Sequence, residues 1–97
     1  MFVTFMTFTD QRADAHRFMT EHNAWIGRGF ADSAFLCIGS LDDDAGGAIV
    51  SNEASRAAHD RRLLADPFVM HGIVTTETYA VDGKRAIPAL DHLKASA

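Results

Sequence analysis

Residues Ser33–Ser51 read SAFLCIGSLDDDAGGAIVS. Two short apolar runs flank an acidic, glycine-containing centre. Ser33 to Gly39 is apolar at every position from Ala34 to Ile38, so it predicts a strand with both faces apolar. Asp42-Asp43-Asp44-Ala45-Gly46 has turn chemistry, and Gly47 to Ser51 is a short further strand, so the stretch predicts a hairpin. A hairpin in the middle of a 97-residue chain leaves room for one strand and one helix on either side.

Both flanks supply them. Upstream, Phe2 to Phe8 reads as a strand of Phe, Val, Met and Thr. Thr9-Asp10 then offers an N-cap for a helix that runs to about Ile26 and stops in Gly27-Arg28-Gly29. Downstream, Ser55 caps an alanine-rich helix from Arg56 to about Ala65, which Pro67 ends by disfavouring helical geometry at Asp66. A last strand from Ile73 to Val81 stops at Asp82-Gly83. The order is strand, helix, strand, strand, helix, strand. Right-handed crossovers make this the ferredoxin-like split βαβ (βαββαβ), an α+β domain with both helices on one face of a four-stranded antiparallel sheet. The first two strands are apolar on both faces, so the uncovered face predicts a homodimer packed sheet to sheet, a dimeric α+β barrel.

The length suits a single domain over 1–97, with a core of about 1–81 and an extension over 82–97. Hydrophobic residues make up 47% of the chain, which argues against disorder. The formal charge is −4 and the nine Lys and Arg are scattered, whereas a nucleic-acid binder would cluster them. Arg61-Arg62, beside Asp60, reads as a solvated face. A lone cysteine, Cys37, excludes an internal disulfide and a zinc site built on several thiolates, and its apolar strand predicts a buried, inert thiol. Met1–Met6 is apolar but too short to span a bilayer and lacks the basic start of a signal peptide. These features predict a soluble, cytoplasmic protein. Asp42, Asp43 and Asp44 lack the alternating spacing of a calcium loop, and no phosphate-cradling glycine loop is present, so neither metal nor cofactor is expected.

Two residues carry chemistry. Ala15, Phe18, Met19, His22, Trp25 and Ile26 form an apolar stripe at helical spacing, with His22 in its middle. Alone, His22 reads as a core histidine bonded to a backbone carbonyl. Asp66 alone reads as helix punctuation, an N-cap with Pro67 at the first position of a short turn. As a pair they acquire a common explanation. A buried imidazole and a buried carboxylate each cost several kcal/mol unless satisfied, and each can satisfy the other. The carboxylate fixes the tautomer and leaves the second ring nitrogen free to move a proton. Trp25 and Phe68, whose ordinary role is core packing, are candidate walls of the pocket, and Ser40 is a candidate polar lining at a strand end. His71, after the Asp-Pro-Phe turn, is a candidate pocket-lining residue, with a surface position at the strand end as its ordinary reading.

From Gly46 to Gly72 the chain resembles the YCII-related (YciI-like) family. Gly46, Ser55, Asp66-Pro67-Phe68 and Gly72 fill that family's places in order. Upstream, His22-Asn23-Ala24-Trp25-Ile26 is similar to its histidine-bearing helix, and Gly29 and Gly39-Ser40 to its turn and strand end. The resemblance covers most of residues 1–81. It implies a dimerising ferredoxin-like fold with an Asp–His pair between sheet and helices, carried here by His22 and Asp66. Lyase-type dehydrohalogenation is the chemistry associated with the family. Met19 stands where the family often has an arginine one turn before the histidine, which leaves the pocket without that cation, and Ser40 stands for a proline. The expected function is a small-molecule enzyme of lyase or isomerase type with His22 as general acid/base. The alternative is a non-catalytic dimer that binds a small ligand. A third reading is a structural dimer in which the pair merely satisfies a buried polar site.

Overall fold

The computed structural model describes residues 1–93. The elements are β1 (Phe2–Phe8), a 3-10 helix (Arg12–Arg17), α1 (Met19–Ala31), β2 (Phe35–Ser40), β3 (Gly46–Ser51), α2 (Arg56–Leu64), the short α3 (Pro67–Met70) and β4 (Val74–Ala80). The sheet order is β2-β3-β1-β4, antiparallel throughout, which is the ferredoxin-like arrangement. The register sets two faces. Thr4 lies opposite Ile49 and Thr78, and Met6 opposite Gly47 and Thr76, so the even positions of β1 face the helices. Met6, Trp25, Phe35, Ile49, Leu63, Phe68, Ile73 and Val74 form the buried core between sheet and helices.

The first helical segment differs from the expectation at both ends. A 3-10 helix follows Thr9-Asp10, and α1 begins only at Met19. At the other end, α1 runs straight through Gly27 and Gly29 to Ala31. The stop comes at Asp32, with Ser33 taking the left-handed conformation (φ 57°) that closes the helix. Gly29 is a packing residue. A Cβ there would run into the Phe35 ring, so its absence lets α1 lie close on β2.

Beneath α2 sits a polar cluster that the alanine-rich pattern conceals. His59 is fully buried, with Nε2 2.8 Å from Thr4 Oγ1 and 3.3 Å from Thr78 Oγ1, and Nδ1 3.0 Å from Ser51 Oγ. Its ring stacks on Phe2 at 4.9 Å. Both ring nitrogens are thereby satisfied by hydroxyls, which can donate or accept as a neutral imidazole requires.

The outer face of the sheet carries Val3, Phe5, Cys37, Val50 and Tyr79, with Val3 opposite both Val50 and Tyr79. Cys37 is exposed there, a correction to the buried thiol expected from its apolar strand: α1 and α2 pack on the opposite face of the sheet. After β4 the chain returns toward this face. Ala86, Leu90 and Leu93 line a cavity of about 320 Å³ with Leu36, Cys37 and Val50, and Pro88–Leu93 is a 3-10 helix. The rest of the extension, 94–97, lies outside the described residues. Among the described residues no helix is long and apolar enough to cross a membrane.

Candidate functional site

The Asp-Pro-Phe stretch builds the site by ordinary capping rules. Asp66 is the N-cap of α3, with its side chain accepting from the Phe68 amide (3.0 Å), and Pro67 occupies the first helical turn. The cap holds the carboxylate in one orientation. The same Oδ1 accepts from His22 Nδ1 at 2.7 Å. Asp66 therefore serves both the punctuation and the histidine. Gly72 follows at φ 68°, a left-handed residue that turns the chain from α3 into β4.

Asp66 is fully buried, and its Oδ2 has no hydrogen-bond partner among the described residues. A buried carboxylate with one oxygen left unserved is costly. Its nearest source of compensation is the His22 ring. With Nδ1–H committed to Asp66, Nε2 has no partner among the described residues, and His22 lines a cavity, its side chain being 12% exposed. A proton accepted at Nε2 would make an imidazolium in contact with the buried carboxylate. The ring is also gripped from its face. Phe68 stacks on it at 3.9 Å and 4° from parallel, and Trp25 lies 5.9 Å away.

The cavity has a volume of about 550 Å³ and lies between α1 and the β1–β3–β2 side of the sheet. That is within the range of small-molecule sites. Met6, Ile26, Ile38, Ile49 and Phe68 give it apolar walls, and His22, Asn23 and Ser40 are polar groups in its lining. Of the residues picked from the sequence, His22, Ser40 and Phe68 therefore share one cavity, and Asp66 stands directly behind His22. Trp25 does not line it. Its indole is buried in the core and donates to the Arg62 carbonyl at 2.9 Å, so it backs the histidine from the far side. His71 is exposed and stacks on Phe18 at 4.0 Å, away from the cavity lining. Arg62 is tied to Glu53 (2.7 Å) and Asp32 (3.2 Å). Among the described residues no group of three or more His, Cys, Asp or Glu is placed to hold a metal ion.

Among the lining residues that sequence reasoning did not single out is a cation. Arg12, the first residue of the 3-10 helix, reaches the cavity from outside the stripe that His22 occupies. Met19 does stand in the slot one turn before His22, yet a cation lines the site from another element.

The fold is a ferredoxin-like α+β domain with a four-stranded antiparallel sheet. Among solved structures the chain is similar to 5-chloro-2-hydroxyhydroquinone dehydrochlorinase (TftG) from Burkholderia phenoliruptrix AC1100, in complex with 2,5-dihydroxybenzoquinone. That likeness has a TM-score of 0.72 at 15% identity and covers 84% of this chain and 93% of that one. The dehydrochlorinase has the fold of YciI-like proteins. No protein-family model matches the chain, and no curated protein is similar to it in sequence.

Proposed function

We propose that this protein is a YciI-like enzyme that moves a proton on a small hydroxylated ring or a carbonyl compound, in an elimination or isomerisation. The observation that carries the proposal is a histidine that lines a cavity of ligand size, held on one nitrogen by a buried, capped carboxylate and without a partner on the other among the described residues. His22 Nε2 takes a proton from the substrate's hydroxyl or from carbon next to a carbonyl. The electron pair released moves into the ring or enolate, and carbon takes up a proton, which completes an isomerisation. In an elimination from a chlorinated ring the keto tautomer so formed, with chlorine now on saturated carbon, gives up a second hydroxyl proton and expels chloride. Asp66 holds the tautomer and offsets the imidazolium charge. The similarity to a dehydrochlorinase supports this chemistry. The apolar outer face of Val3, Phe5, Val50 and Tyr79 supports a homodimer joined sheet to sheet.

The test is chloride release from 5-chloro-2-hydroxyhydroquinone and, in parallel, binding of 2,5-dihydroxybenzoquinone. Turnover that falls about 10²–10⁴-fold in His22→Gln, with the folded far-UV spectrum retained, supports general acid/base catalysis. Saturable binding without product from any hydroxylated ring tried would make the protein a ligand-binding dimer instead. Loss of folding in both His22→Gln and Asp66→Asn, strongly coupled in the double variant, would make the pair structural.

A further inference from the structure

We infer that Arg12 anchors an anionic oxygen of the molecule in the cavity, so that the site selects small rings bearing a carboxylate or an ionised hydroxyl. The inference rests on the cavity being the binding site, as proposed above, and adds the charge of its occupant. Arg12 is the one Lys or Arg among the described residues that lines this cavity. Its guanidinium is fixed at two points. Nη2 donates to the Asp44 carbonyl at 3.0 Å, and the group lies over the Phe8 ring, 4.4 Å from its centroid. Neither contact neutralises it. Arg17, Arg56 and Arg62 each pair with a carboxylate, whereas Arg12 has no carboxylate within 4.0 Å among the described residues. A guanidinium has five N–H donors, and one is used here. A positioned planar cation with donors to spare, on the wall of an otherwise largely apolar cavity, suits a carboxylate or phenolate oxygen.

One group opposes it. Asp44 also lines the cavity, and its carboxylate makes no ion pair with Arg12. Its charge therefore weakens anion binding without occupying the guanidinium.

The experiment uses two rings that differ by one carboxylate, 2,5-dihydroxybenzoate and hydroquinone, at neutral pH. Binding is read by calorimetry and by the ¹⁵N resonance of His22 Nε2. In the wild type the acid binds more tightly than the neutral ring and both shift Nε2. Arg12→Met lowers affinity for the acid about tenfold and leaves hydroquinone within about twofold. Arg12→Lys keeps part of the preference, because charge remains and the fork is lost. Asp44→Asn tightens the acid alone. An acid-to-hydroquinone ratio unchanged between wild type and Arg12→Met overturns the anchor while leaving the cavity as a binding site. If neither ring shifts Nε2 in the wild type, the cavity itself is not the site, and the proposed function falls together with the anchor.

Discussion

The ring of Phe68 lies 3.9 Å from that of His22 and within 4° of parallel, and the Phe68 amide bonds the same Asp66 oxygen that holds His22. One tripeptide thus orients the histidine in its plane and across its face. Phe68 is 4% exposed, so Phe68→Leu should cost about 1–3 kcal/mol in urea unfolding through lost stacking and packing. The variant should also free the imidazole, lowering kcat more than it raises KM for any ring the wild type turns over.

Replacing Asp66 separates its two duties. Asparagine caps helices about as well as aspartate, so Asp66→Asn should retain most of the helix contribution and lose the charge. An amide can also present N–H to Nδ1 and force the proton onto Nε2. Long-range ¹H–¹⁵N correlation spectra should show Nδ1–H in the wild type and a shift toward Nε2–H in the variant, with turnover down by about 10²–10⁴-fold. Asp66→Ala should lose the cap as well, at a further cost of about 1 kcal/mol.

Gly27 and Gly29, two residues apart on α1, should respond in opposite directions. Alanine is favoured over glycine in a helix by about 1 kcal/mol. Nothing lies within 4 Å of a Cβ at Gly27, so Gly27→Ala should stabilise the fold by up to that amount. At Gly29 the Cβ meets the buried Phe35 ring, and overpacking of about 1–3 kcal/mol exceeds the helical gain. Denaturant midpoints of the two variants against wild type decide the matter.

His59 makes stability depend on pH. Burial lowers its pKa below the ordinary 6.5, with Asp60 and Glu53 opposing and Arg56 assisting the shift. The unfolded chain then binds the proton first as pH falls. The contribution of neutral His59 is complete above about pH 6.5 and is lost progressively below it, down to the lowered native value. Unfolding free energy should fall between pH 7 and pH 5, and His59→Gln should flatten that slope. A slope that survives the substitution would assign it to other groups.

If the outer sheet face joins two copies, charge placed on it should separate them. Phe5 and Tyr79 meet edge to face there at 6.1 Å. Tyr79→Glu should move the sedimentation coefficient from dimer to monomer, whereas a change on the far side, such as Arg61→Glu, should not.

The order of elements was legible because the apolar runs and their punctuation are local signals. Pro67 ends α2, Ser55 begins it with its side chain on the Ala58 amide, and Asp66 announces a cap. His22 stood out by its spacing from Phe18 and Ile26. The features that escaped depend on contacts between distant segments. Glycine at 29 reads as a stop because its partner, Phe35, is across a turn. The partners of His59 come from three different strands, at Thr4, Ser51 and Thr78. The inward parity of Thr4 with Met6 was the available hint. Exposure of Cys37 follows from which face the helices cover, which alternation alone does not decide.

The break at Phe18 between the 3-10 helix and α1 has a wider meaning. In one continuous α-helix, the ten-residue step from Arg12 to His22 would separate them by about 15 Å along the axis. Here they stand on two helical segments and line the same hollow. On the proposed reading, affinity and reactivity would be mounted on separate lengths of backbone. Rewriting residues 10–17 would then offer a route to altered ligand preference that leaves the proposed His22–Asp66 dyad in place, which makes that short segment the natural target for redesign.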